Sequence, residues 1–191
     1  MKNEKKKGNY LPKYIKADDM REILKTPENE RNRLILQILY RCGLRVGELV
    51  HLKIGDINLD ERELFVRKGK GNKQRVVILD DVISGLLSLY LRDSTPEDYD
   101  RYLFQSSHGG HLTTRSIQYI VEKCGKKAGL TQKITPHMFR HSLAVHSIKA
   151  GMNIRSVQKR LGHSSLKTTM IYLDLTMEDV RDDIRKYPLP I

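Results

Sequence analysis

The sequence predicts an α+β fold, mainly α-helical, with a small three-stranded antiparallel sheet in its first half. Three observations carry that expectation. Apolar residues recur at helical spacing through most of the chain from residue 19 to residue 186, in segments bounded by capping side chains and helix-ending glycines. Only between Asp56 and Leu79 does the period drop to two, in β-prone runs joined by a Gly/Asn-rich connection. A length of 191 residues suffices for one well-filled core, which makes a single folded domain the default.

Residues 1–13 are polar, carry Lys2, Lys5, Lys6 and Lys7, and lack an apolar period. They are expected to form a flexible basic arm or linker remnant, leaving 14–191 as the domain. Asp19, with Glu22 three residues on, gives a capping-box start before Ile23 and Leu24, and Pro27 stops that helix. A clearer helix covers 30–42, with Leu34, Ile35, Ile38, Leu39 and Cys42 on one broad face and Gly43 in the helix-ending place. Helical spacing resumes over 46–52. Arg45 therefore stands at a helix start, where outward N–H groups favour anions.

The runs 63–67 and 74–79 flank Lys68-Gly69-Lys70-Gly71-Asn72-Lys73 and predict a hairpin, with a short third strand within 54–59. The hairpin loop thus carries three lysines. Beyond it come a helix over 81–91, an acidic loop over 94–102, and a turn at Gly109-Gly110. Thr113 or Thr114 caps the next helix, on which Ile117, Ile120, Val121, Cys124 and Ala128 recur before Gly129. Thr135-Pro136 starts another, running to Ala150, and its His137, Arg140 and His141 at i, i+3 and i+4 share a face. Asn153 caps 154–161, Gly162 ends it, and 165–172 and 176–186 are expected as two separate last segments.

Lys and Arg number 35 against 23 Asp and Glu, a formal net charge of +12. So basic a chain points to a phosphate backbone or another anionic surface as partner, although passive nucleic-acid binders share that balance. No stretch has the apolar length of a membrane span, and the lysines of residues 1–8 have no signal-peptide core behind them, so a soluble, cytoplasmic protein is expected. Cys42 and Cys124 sit in helical patterns without metal-like spacing and are expected reduced.

His137, Arg140, His141, His163 and Tyr172 fall within 36 positions. Singly, each is readily explained as a residue satisfied in a core. Together with the charge they suit phosphoryl transfer: planar arginine forks can hold nonbridging oxygens bidentately where negative charge accumulates. A tyrosine hydroxyl, with a reference pKa near about 10, attacks only if a neighbour takes its proton, and a histidine can. A lysine on a loop can then protonate the leaving oxygen.

Four strings carry a resemblance. Cys42-Gly43-Leu44-Arg45-Val46-Gly47-Glu48-Leu49, Gly69-Lys70-Gly71-Asn72-Lys73, His137-Met138-Phe139-Arg140-His141, and Leu161-Gly162-His163 with Tyr172 resemble, in the same order, the motifs of the tyrosine recombinases, the phage integrase family, most closely its Xer-like branch. The resemblance extends over residues 13–186 and implies the catalytic-domain fold of that family. It implies that Arg45 and Arg140 clamp the scissile phosphate, that Lys70 is the general acid, and that His137 accepts the nucleophile's proton. It further implies that His163 donates a hydrogen bond to the phosphate and that Tyr172 forms a 3′-phosphotyrosyl link, while Glu48 and His141 orient the site. Lys73 stands as an alternative to Lys70, and Tyr119 and Tyr187 as rivals to Tyr172.

Lys68, Lys73, Arg75 and Lys167 are expected to contact double-stranded DNA, backbone-phosphate contact being the ordinary role of such basic residues. Neither a metal nor a nucleotide cofactor is implied, because the covalent link retains the phosphodiester energy. Family members assemble as tetramers on DNA, and an isolated domain is expected as a monomer associated with the nucleoid. Where they carry an N-terminal helical domain, here only the basic arm precedes the motifs, as in an excised catalytic domain or a minimal member. A catalytically silent DNA-binding module and a type IB topoisomerase-like enzyme are the alternatives.

Overall fold

The computed structural model describes residues 12–67, 74–107 and 109–186, and for 176–183 and 186 it describes the main chain alone. The arm expected at 1–13 therefore lies almost wholly outside the described residues. Among the described residues the α-helices are α1 (Ala17–Lys25), α2 (Glu30–Gln37), α3 (Val46–Val50), α4 (Asp81–Tyr90), α5 (Thr114–Lys127), α6 (Pro136–Lys149), α7 (Ile154–Leu161) and α8 (Leu166–Lys186). Three antiparallel strands, β1 (Ile57–Asn58), β2 (Glu63–Val66) and β3 (Arg75–Ile78), lie in the order β1-β2-β3. The expected fold class holds.

Several boundaries follow the chemistry read from the sequence. Asn29, Thr113 and Asn153 each accept a backbone N–H at the start of their helix, satisfying a donor that the helix itself leaves free. In the sheet, Leu64 faces Val77 and Val66 faces Arg75 across the β2–β3 ladder. Side chains alternate between faces along a strand, so Leu64, Val66 and Val77 point into the core while Phe65, Val76 and Ile78 lie exposed.

Three expectations change. The helix begins at Ala17 rather than at an Asp19 cap, and Asp18 and Asp19 fall in its first turn, where carboxylates oppose the positive end of the helix dipole. α2 does not run evenly to Cys42: Ile38–Cys42 forms a π-helical turn, closed by Gly43 in the left-handed region at φ 61°. The two segments expected after Ser165 are one continuous helix of 21 residues. No Gly or Pro interrupts Leu166–Lys186, and Thr176 is carried within the helix rather than capping a new one.

The main apolar cluster runs from Ile15 to Phe139, and a second gathers Leu143, Val145, Val157, Leu161, Tyr172 and Leu175. Full burial of each large aliphatic or aromatic side chain contributes roughly 1.5–3 kcal/mol. α6 spans both clusters, bringing the chain's last third against its first. No helix among the described residues is long and apolar enough to cross a membrane.

Candidate active site

Arg140 is buried on α6, at 4% exposure. Its Nη1 donates to the carbonyl of Gly43 and its Nη2 to the carbonyl of Leu161. One carbonyl closes the π-turn and the other ends α7, so a guanidinium sits where two helices present their unpaired, partially negative ends. Gly43 and Gly162 both turn left-handed there, at φ 61° and 63°. Burial first, and then the charges of Arg45 and Arg75, lower the Arg140 pKa to about 10, which leaves it a cation at neutral pH. Arg45 follows Gly43 by two residues and His163 follows Leu161 by two, so the same anchor fixes both corners.

Arg45 precedes the first turn of α3. Its backbone N–H donates to Glu48 Oε2 at 2.8 Å and its Nη1 to Glu48 Oε1 at 2.9 Å. Arg75 grips the same carboxylate from the sheet side, Nη1 to Oε1 and Nη2 to Oε2, each at 2.8 Å. Burial acts to raise the Glu48 pKa, but the hydrogen bonds and charges of the two arginines prevail and lower it. The carboxylate is therefore ionised and held from two sides.

Tyr172, on α8, is 2% exposed, and its hydroxyl lies 2.8 Å from His141 Nδ1. Burial raises the tyrosine pKa against the pull of Arg140 and Arg45. His141 is pushed down to about 4 by burial, then by His137 and Arg140, so the ring is neutral and free to accept the tyrosine proton. His163 stacks near Tyr172, ring centroids 6.3 Å apart, and its Nδ1 lies 2.9 Å from Thr169 Oγ1. Burial, followed by Arg140 and Arg45, pushes His163 to about 4 as well. The tautomer that accepts from Thr169 keeps its proton on Nε2, a donor available to an anionic oxygen.

His137 is exposed, and its ring stacks on His141 with centroids 6.5 Å apart. It lines an open cleft of about 510 Å³ with Arg115, Tyr119 and Lys133. A neighbouring cleft of about 620 Å³ shares Arg115 and Tyr119 and continues to Arg31, Lys123 and Lys127.

The fold thus brings Arg45, Glu48, Arg140, His141, His163 and Tyr172 into one cluster, with His137 at its edge. Lys68, Lys70 and Lys73 lie outside the described residues. Lys167 is exposed on the first turn of α8, where a backbone contact is open to it. Arg75, expected on DNA, instead turns its guanidinium inward onto Glu48, with 12% of the side chain exposed. Tyr119 is 69% exposed and lies outside the pocket. The residue that sequence reasoning left without a role is Thr169, fully buried against His163; its place one turn before Tyr172 on the same helix was the available signal.

Fold and site together define an α+β domain in which two arginines and a group of histidines close around a buried tyrosine. The phage integrase family model matches residues 13–179, and the chain belongs to that family. It is 40% identical to the tyrosine recombinase XerA of Pyrococcus horikoshii over 182 residues, 94% of this chain and 62% of that protein. Over 194 residues it is 36% identical to the tyrosine recombinase XerC of Lacticaseibacillus casei, covering 96% of this chain and 65% of that one. The chain therefore spans just under two thirds of the length of these curated relatives. A crystal structure of XerA recombinase superposes with a TM-score of 0.79 at 33% identity, over 99% of this chain and 68% of that one. The XerH site-specific recombinase bound to its difH substrate, a pre-cleavage complex, gives 0.72 at 32% identity, over 85% and 50%.

Proposed function

We propose that this chain is the catalytic domain of a site-specific DNA recombinase that cuts and rejoins strands through a covalent tyrosyl intermediate. The observation that carries the reading is the Tyr172 hydroxyl held on the neutral ring of His141 in the pocket charged by Arg45 and Arg140. In the reaction the Tyr172 oxygen attacks the scissile phosphorus and the bond to the 5′ oxygen breaks, leaving a 3′-phosphotyrosyl link. Before DNA binds the phenolic proton stays on oxygen, in a hydrogen bond to the neutral His141 ring; it leaves as the oxygen attacks, and family resemblance assigns its acceptance to His137. Arg45, Arg140 and His163 hold the nonbridging oxygens, and Lys70 delivers a proton to the departing 5′ oxygen. Attack by that 5′ hydroxyl on the link reverses the balance and rejoins a strand.

Double-stranded DNA is the substrate of this reading. Support comes from the XerH relative, whose structures hold difH DNA, and from the basic clefts that lead away from His137 across α5. Recombination on DNA requires four such chains, whereas the free domain is read as a monomer, and the chromosome-bearing compartment is its place of action. A nicked suicide duplex tests the chemistry. Wild type is expected to form a protease-sensitive protein–DNA adduct and Tyr172→Phe none. An adduct formed equally well by Tyr172→Phe, or none with wild type, removes the enzyme reading and leaves a silent DNA-binding module.

A further inference from the structure

Four hydrogen bonds converge on one carboxylate that is itself only 3% exposed. Arg45 supplies one to each Glu48 oxygen, and Arg75 supplies the second to each, in the coplanar fork that a guanidinium makes with a carboxylate. Both Nη atoms of Arg75 are consumed, its Nε is buried without a partner, and 12% of its side chain reaches solvent. Arg45 commits only Nη1 to Glu48 and keeps 28% exposure. One guanidinium is nearly enclosed and the other is partly open to solvent.

The stem of Arg75 makes a second contact. It packs on Gly162, where a Cβ would stand 2.5 Å from Arg75 Cδ and 2.9 Å from its Nε. Gly162 joins Leu161, whose carbonyl anchors Arg140, to His163. Arg75 also opens β3. One side chain thus touches the hairpin, the Arg45–Glu48 corner and the corner before His163.

We propose that Arg75 is a positioning residue for strand cleavage: by holding Glu48 it fixes the Arg45 guanidinium and leaves its positive charge free for the scissile phosphate. The inference rests on the recombinase reading above. Charge arithmetic supports it. Arg45 and Glu48 alone would form a neutral pair, leaving Arg140 as a single cation beside them. With Arg75 taking up the carboxylate, the group of three arginines and one glutamate carries two net positive charges, matched to the two negative charges of a pentacoordinate phosphoryl transition state. A direct phosphate contact would instead require Arg75 to abandon a buried carboxylate, at a cost that the bond gained does not return.

The test is single-turnover cleavage of a nicked suicide duplex, with duplex affinity and melting temperature measured on the same samples. The variants are Arg75→Lys, Arg75→Gln, Glu48→Gln and the double Glu48→Gln/Arg75→Gln, the last removing both buried charges so that neither is stranded. At saturating DNA, Arg75→Lys is expected to cleave roughly 100-fold more slowly, with affinity changed less than about threefold. The double variant is expected to regain the melting temperature lost by Arg75→Gln while cleaving no faster than the slower single variant. Such non-additivity marks two residues that act as a unit.

Arg75→Lys or the double variant cleaving at the wild-type rate would overturn the inference. A loss confined to affinity would make Arg75 a direct DNA contact, and failure of every variant to fold would make it structural support; either outcome also overturns it. An inactive wild type brings down the recombinase reading, whereas an active wild type with a fully active Arg75→Lys brings down this inference alone.

Discussion

The Tyr172 hydroxyl sits 2.8 Å from His141 Nδ1 in surroundings that raise the tyrosine pKa and lower that of the histidine. Both groups are therefore neutral in the DNA-free protein, with the proton on oxygen. His141 and His163, each near 4, are expected to show neutral-ring nitrogen shifts by NMR down to about pH 5 and to titrate below it. Titration near pH 6.5 would mean that water reaches these rings. Thr169→Val removes the hydroxyl beside His163 Nδ1 while keeping its shape. Cleavage is expected to slow roughly 10-fold and stability to fall by about 1 kcal/mol, with duplex affinity unchanged. A lost affinity with normal cleavage would count against this role. The direction of Arg75 was legible but its partner was not: it shares strand parity with the buried Val77, which assigns it to the inner face. Basic residues beside a lysine loop read more readily as DNA contacts, and a lone strand residue gives no sign of a carboxylate waiting within.

Helix ends decide where the site forms. Gly43 and Gly162 were readable as terminators because their neighbours carry apolar helical periods that stop there. What they terminate against was not readable, since the carbonyls of Gly43 and Leu161 meet Arg140 from 97 and 21 residues away. The π-turn at Ile38–Cys42 is equally silent in sequence, because its residues suit an ordinary α-helix. Gly162 separates two demands usually confounded at a left-handed glycine. Gly151 has φ 89° with open space around its Cβ position, whereas Gly162 has φ 63° and Arg75 in the way. Gly151→Ala is expected to cost about 1 kcal/mol and Gly162→Ala about 3, in urea unfolding of the two variants. Equal costs would mean that Arg75 yields without penalty. The join of 165–172 to 176–186 into one helix has a local cause, for Leu173, Asp174 and Leu175 contain no breaker, and a threonine read as a cap was only a passenger.

At the level of the whole domain, the depressed histidines link protonation to stability. The unfolded chain takes up protons on His141 and His163 near the ordinary value of 6.5, the folded chain only near 4. Stability from these groups is thus complete above about pH 7 and is lost as pH falls from about 6.5 to about 4. The melting temperature is expected to drop over that window by something of the order of 10 °C, and a combined His141→Phe and His163→Phe variant should flatten the slope. An unchanged slope would place the acid sensitivity elsewhere. Fold class and the order of most helices and strands were legible, because each rests on local periodicity. The contacts of Arg75 with Glu48 and of Tyr172 with His141 were not, because they are settled by which faces meet.

The Arg140 anchor has a further implication, for biosynthesis. Arg140 must join a carbonyl made 97 residues earlier to another made 21 residues later, so neither half of the chain can complete the anchor alone. On the reading proposed above, a nascent or broken copy lacks the anchor that fixes the corners of Arg45 and His163.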